Sequence, residues 1–229
     1  IPLYMQQKRF TEAEQDFDTA IKYDSAYIPA LFNRAVVYSD TQRPLLALKD
    51  LNSVIALDST NSLAYFNRAI IRSQIGDYNN ALSDYDRVAE YSPNNVLVYY
   101  NRANLYTQVG EIENAVQDYT KAISLYPDFA NAYLNRSYLK FLLNDPAGAR
   151  SDRQTAERKI AEYRSRLSDS TYSIYADTTQ KFDKLLSFDA KMAGDTFETT
   201  AMNSNEAGPK LLPMFKFTLM YPDLSLIHI

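Results

Sequence analysis

The segment Ala64-Tyr65-Phe66-Asn67-Arg68-Ala69 is followed by Gly76, Ala81, Tyr85 and Pro93, and a shift of 34 residues brings the pattern back. Gly76 falls on Gly110, Ala81 on Ala115, Tyr85 on Tyr119, Pro93 on Pro127, and Asn67-Arg68-Ala69 on Asn101-Arg102-Ala103. A period of this length constrains the fold more than any other feature of the chain. It marks stacked supersecondary units, each contacting its neighbours, in place of one central core.

Within each period the apolar spacing is helical. Ala13, Phe17, Ala20 and Ile21 form a stripe on one helical face, and from Thr11 this predicts the second helix of a repeat. The residues before it, Tyr4 to Phe10, align with Arg72 to Tyr78 and are expected to end one helix and turn into the next. Full repeats are expected over 28–61, 62–95, 96–129 and 130–163, after a partial one at 1–27. Gln42-Arg43-Pro44 replaces the glycine turn in the first full repeat, where Pro44 suits the first helical position because no amide partner is lost there. Asn144-Asp145-Pro146 serves the same purpose in the last, with Asp145 as N-cap. Arg150 and Arg153 then stand where earlier repeats carry apolar residues, predicting a polar-faced capping helix that runs on through Ile160, Tyr163 and Leu167.

After Ser168 the period disappears, and residues 164–229 are expected to hold the end of the capping helix, a linker and the start of a β-containing region. Phe182, Leu185 and Leu186 suit a short helix or a half-buried strand, and 194–209 reads as loop. Met214 to Tyr221 alternates with period two, placing Phe215, Phe217, Leu219 and Tyr221 on one face of a strand. A lone strand needs partners, and its exposed edge would offer a route to self-association. The chain opens at Ile1 inside a repeat, so a native N-terminus with any signal peptide is expected upstream. Leu224-Ser225-Leu226-Ile227-His228-Ile229 resembles the translation of a sequencing adapter, which implies that the reading frame is a truncated fragment and His228 is not native.

Composition narrows the function classes. The net charge is −4, and the Lys and Arg residues are interspersed with acids, so the basic stripe a nucleic acid requires is missing. No stretch of 18 apolar residues predicts a membrane-spanning helix. Without cysteine there is no disulfide, thiolate metal site or cysteine nucleophile, and the compartment is left undecided. With one histidine, and no glycine-rich phosphate loop or calcium-spaced carboxylates, no catalytic residue, cofactor or metal site is expected.

Ala69, Gly76, Tyr78, Ala81, Tyr85 and Pro93, and then Ala103, Tyr106, Gly110, Ala115, Tyr119, Ala122 and Pro127, resemble the tetratricopeptide repeat over about residues 1–163. Gln42, Ser59 and the charged last helix depart from the pattern. The resemblance implies an all-α, superhelical solenoid of αα hairpins, with a short irregular, β-containing tail after it. Close helix crossings need alanine and wider gaps take Tyr, Phe or Leu, so most aromatics are expected in the core.

The resemblance further implies that the first helices line a concave groove holding an extended peptide. On that mapping the groove comprises Phe32, Asn33 and Val36; Phe66, Asn67 and Ile70; Tyr100, Asn101 and Asn104; and Leu134, Asn135 and Tyr138. The recurring asparagine offers donor and acceptor together and looks like the asparagine ladder of the O-linked N-acetylglucosamine transferases; the alternative is an idle consensus residue. A two-carboxylate clamp of the chaperone-adaptor kind needs groove cations, and Phe32, Phe66, Tyr100 and Leu134 stand in those places. An apolar or aromatic peptide is the expected partner.

Arg34, Arg68, Arg102 and Arg136 are each followed sixteen residues later by Asp50, Asp84, Asp118 and Asp152, a spacing that suits structural ion pairs between the two helices of a hairpin. The functional expectation is a protein-binding scaffold or adaptor without catalysis. The alternatives are an interaction arm of a larger enzyme or envelope protein, and a self-assembly module.

Overall fold

The computed structural model describes residues 3–167, and side chains within 9–165. The expected tail elements, including Phe182 to Leu186 and the strand Phe215 to Tyr221, lie outside the described residues.

Among the described residues the fold is all α. Helix α1 spans Leu3–Tyr23, and four hairpins follow: α2 (Ile28–Asp40) with α3 (Pro44–Leu57), α4 (Ser62–Gln74) with α5 (Tyr78–Tyr91), α6 (Val96–Val109) with α7 (Ile112–Leu125), and α8 (Ala130–Leu142) with α9 (Pro146–Leu167). First helices start at 28, 62, 96 and 130 and second helices at 44, 78, 112 and 146, so the 34-residue step of the sequence is also the structural step. Each helix packs on the next along the chain, giving a solenoid of αα hairpins.

Small residues set the crossings. Ala35, Ala69 and Ala103 on first helices and Ala47, Ala81 and Ala115 on second helices are fully buried, which lets the backbones approach. In the last hairpin Ser137 takes the place of the first-helix alanine and donates its hydroxyl to the Ala149 carbonyl at 2.8 Å. Between the crossings, Phe66 stacks edge-on to Tyr85 at 6.0 Å and Tyr100 to Tyr119 at 5.8 Å.

The turns share one conformation. Gly76 and Gly110 have φ of 85° and 84°, and Gln42 and Asn144, at the same register, have φ of 60°. The left-handed residue reverses the chain, and the amides of Arg43, Asp77, Glu111 and Asp145 then close onto Tyr38, Arg72, Tyr106 and Lys140 carbonyls. Asp145 accepts the Gly148 amide at 2.8 Å, capping the capping helix α9.

One expectation fails. Tyr4 to Phe10 form no turn; α1 runs unbroken from Leu3 to Tyr23. Lys8 sits where Gly76 breaks the later unit, and neither glycine nor proline interrupts residues 3–23, so nothing local ends the helix.

Candidate binding face

Each arginine of the 34-residue register is held by the same geometry. Arg34 Nε and Nη2 meet Asp50 at 2.7 and 2.8 Å, Arg68 meets Asp84 at 2.9 and 2.7 Å, Arg102 meets Asp118 at 2.7 and 2.8 Å, and Arg136 meets Asp152 at 2.8 and 2.7 Å. These are bidentate pairs between the two helices of one hairpin, with the carboxylates buried. The remaining Nη1 reaches back to the preceding second helix: Arg34 to Asp18, Arg68 to Asn52, Arg102 to Asp86 and Arg136 to Thr120, at 2.6 to 2.9 Å. One guanidinium therefore ties three helices and two consecutive repeats. This third contact was missed by the sequence reading, although its signal is present: positions 18, 52, 86 and 120 recur every 34 residues and are all hydrogen-bond acceptors.

A further alternation decorates the ladder. Four residues beyond each arginine stand Tyr38, Arg72, Tyr106 and Lys140. The tyrosine rings lie 5.6 Å from the Arg34 and 5.9 Å from the Arg102 guanidinium carbon, while Arg72 and Lys140 add a second cation to Asp84 at 2.7 Å and Asp152 at 2.9 Å. Burial works to raise the Asp152 carboxyl, but hydrogen bonds from Arg136 and Lys140 outweigh it and hold the group below the usual aspartate value. Hydrogen bonding to Asp50 pushes the Arg34 guanidinium up; the bidentate pairs hold all four arginines in the scaffold.

The groove residues named from sequence divide under burial. Phe66 is 0% and Tyr100 3% exposed; both are core residues, wedged against Tyr85 and Tyr119, and neither presents its ring to a ligand. Phe32, Val36, Ile70 and Leu134 are half-buried and Tyr138 is exposed. Phe141 and Leu142, one turn beyond Tyr138, are exposed as well, and the sequence reading did not assign them. Their apolar character at a surface position is visible only once α8 has been placed.

The four register asparagines are half-buried but not equivalent. Asn67 donates to the Leu63 carbonyl of its own helix at 2.9 Å. Asn33 and Asn101 hold no side-chain hydrogen bond among the described residues. Asn135 donates across to α6 and α7, to Asn104 Oδ1 at 3.2 Å, Tyr119 at 3.1 Å and Tyr100 at 3.4 Å, and Tyr119 in turn donates to Asn104. Burial pushes the Tyr119 and Tyr100 hydroxyls up, keeping both protonated and able to donate. The four asparagines of this register therefore differ in their hydrogen bonds within the chain.

No metal-binding cluster of His, Cys, Asp or Glu occurs among the described residues, and no described helix is long and apolar enough to cross a membrane.

This architecture and its residues match known families. Tetratricopeptide repeat models match residues 3–27 and 96–129, and a TPR repeat model matches 71–110. The chain carries tetratricopeptide repeats over residues 3–27 and 71–129. Among curated protein sequences no relative matches it. Among solved structures, it is similar to MamA (22% identity, TM-score 0.67, 70% of this chain and 94% of that one). It is also similar to MamA from Desulfovibrio magneticus RS-1 (14%, 0.64, 69% and 89%). A third is YrrB, described as a TPR protein with an unusual peptide-binding site (15%, 0.59, 69% and 81%). At these identities the likeness shows the fold alone.

Proposed function

We propose that this chain is an interaction scaffold, not an enzyme, and that the face built from α2, α4, α6 and α8 binds an extended apolar or aromatic segment of a partner protein. The observation that carries the reading is chemical: the first-helix arginines are consumed by Asp50, Asp84, Asp118 and Asp152. The proposed face keeps Phe32, Val36, Ile70, Leu134, Tyr138, Phe141 and the asparagines at its accessible positions. A face of apolar side chains with interspersed amides and no available cation favours an uncharged, extended segment over an acidic one or a terminal carboxylate. YrrB, whose fold this chain resembles, is a TPR protein with an unusual peptide-binding site.

Selection of a random ten-residue display library on the full chain tests this. The expected winners are rich in Leu, Phe and Tyr, and Ile70→Asp in the receptor should abolish their capture. Selection of acidic peptides, or capture indifferent to Ile70→Asp and Phe141→Asp, would contradict the proposal.

A further inference from the structure

The turn that closes each first helix carries a pattern the fold does not require. The residue before the left-handed position is Thr41 in the first hairpin and Ile75, Val109 and Leu143 in the next three. Those three are 45%, 36% and 41% exposed. A single exposed apolar residue is ordinary, but these recur at one register on consecutive hairpins. Nor does an apolar side chain bond the open carbonyls of a helix end. Thr41 does so, donating its hydroxyl to the Val37 carbonyl at 2.7 Å. In the fourth hairpin the exposed Leu142 widens the row, at the position where the earlier hairpins carry Asp40, Gln74 and Gln108.

Charge changes at the same step. Two residues beyond each of these apolar side chains stands a carboxylate, Asp77, Glu111 or Asp145. The first hairpin has Arg43 there, bound to Glu14 at 2.9 and 2.6 Å. Asp77 and Glu111 precede α5 and α7 without capping their amides, and accept from Asn80 and Asn114 instead. Glu111 and Asp145 have no ion pair among the described residues, and Arg72 reaches Asp77 only at 3.7 Å. An apolar row therefore runs beside a row of negative charge in hairpins two to four, and the first hairpin lacks both.

We propose that this turn edge docks a partner helix whose apolar stripe is flanked by Lys or Arg. Helix packing sets consecutive hairpins about 10 Å apart. In an α-helix, residues i, i+7 and i+14 share a face at steps of about 10.5 Å. In an extended strand the residue at that distance is i+3, which points to the opposite side. The spacing thus selects a helix, and the carboxylates select the cations beside its stripe. A second copy of this edge would bring Asp77, Glu111 and Asp145 against like charge, which disfavours self-pairing here. The surface uses none of the residues assigned to the first-helix face, so it stands or falls separately from the peptide reading.

The probe is a synthetic three-heptad peptide with one Leu per heptad, Lys beside it on the same face and Ala elsewhere. Its binding to the full 229-residue chain is read by fluorescence anisotropy. Saturable binding is expected, and Val109→Asp combined with Leu143→Asp should weaken it about tenfold or more, the scale of burying aliphatic side chains. Glu111→Lys should weaken it too, whereas Tyr23→Asp, at an exposed site ending α1, should not. Probes with Leu replaced by Ala, Lys replaced by Glu, or proline in the central heptad should each bind about tenfold weaker or worse. Circular dichroism establishes that each variant is folded. The proposal is overturned by an absence of binding, by an altered probe that binds as tightly, or by folded Val109, Leu143 and Glu111 variants that bind as before. A dimer of the free chain in light scattering that Val109→Asp dissolves would also overturn it, assigning the edge to a second copy.

Discussion

Arg102 grips both carboxylate oxygens of Asp118, at 2.7 Å from Nε and 2.8 Å from Nη2, and among the described residues no other cation reaches that carboxylate. Asp84, one repeat earlier, has two, Arg68 and Arg72. Removing one partner of a buried pair leaves an uncompensated charge and costs about 3–5 kcal/mol. Arg102→Ala should therefore approach that loss in urea unfolding, while Arg68→Ala costs clearly less because Arg72 remains. Arg102→Lys should recover little, since a point charge cannot replace the fork that also reaches Asp86. Equal losses for Arg68→Ala and Arg102→Ala would refute this assignment of the ladder.

The turns supply a second test. Gln42 adopts φ of 60° at the register occupied by Gly76 and Gly110. A non-glycine residue pays about 1–2 kcal/mol in the left-handed region, less for asparagine. Gln42→Gly should raise the urea midpoint, and Asn144→Gly should raise it less. A Cβ built on Gly76 or Gly110 meets nothing within 4 Å, so Gly110→Ala should destabilise by about 1 kcal/mol through backbone conformation alone. A Gln42→Gly chain with a lowered midpoint would count against a shared turn geometry.

Acid should act through Asp152. Its carboxyl sits below the ordinary aspartate value because Arg136 and Lys140 bond to it against the opposing effect of burial. A group depressed in the folded state contributes stability that is present above its unfolded pKa, about 3.9, and is lost as pH falls through the folded value. Between pH 5 and pH 3 the wild-type urea midpoint should fall, and Asp152→Asn should start lower and fall less. Parallel curves for the two proteins would show that Asp152 titrates alike in both states.

The asparagines that hold no neighbouring side chain separate binding from folding. Asn101 has no side-chain hydrogen bond among the described residues, and Asn67 bonds only the Leu63 carbonyl of its own helix. The double variant Asn67→Ala, Asn101→Ala should keep its melting curve within a few degrees, since exposed and half-exposed changes of this kind fall near 0.5 kcal/mol. It should also weaken the affinity of a display-selected peptide. Retained affinity would mark these two residues as idle.

How far the sequence could be read depended on whether the information was local or periodic. The left-handed turn at Gly76 and the alanine crossing at Ala81 are each set by a few consecutive residues and recur in all four hairpins, the alanine at Ala69 recurs in three and the proline opening α3 at Pro44 returns at Pro146, so noise averages out. The break expected near Phe10 had only alignment behind it, with Lys8 in the glycine register, and helix propensity carried α1 straight through.

Periodicity also conceals differences between repeats, and there the tertiary structure decided. Phe66 and Tyr100 share a register with the half-buried Phe32 and Leu134, yet they are buried because Tyr85 and Tyr119 pack over them from the second helix. Asn135 matches Asn33, Asn67 and Asn101 by register but differs in its bonds, because only its junction brings Asn104 and two tyrosine hydroxyls within reach. The sequence by itself determined an all-α repeat solenoid, since the 34-residue spacing of small, aromatic and turn residues dictates stacked hairpins. Which side chains became core, staple or accessible amide was decided by what the second helix of the same hairpin and the neighbouring repeat place against them. Those are contacts between residues from 16 to 35 positions apart, which no local pattern encodes.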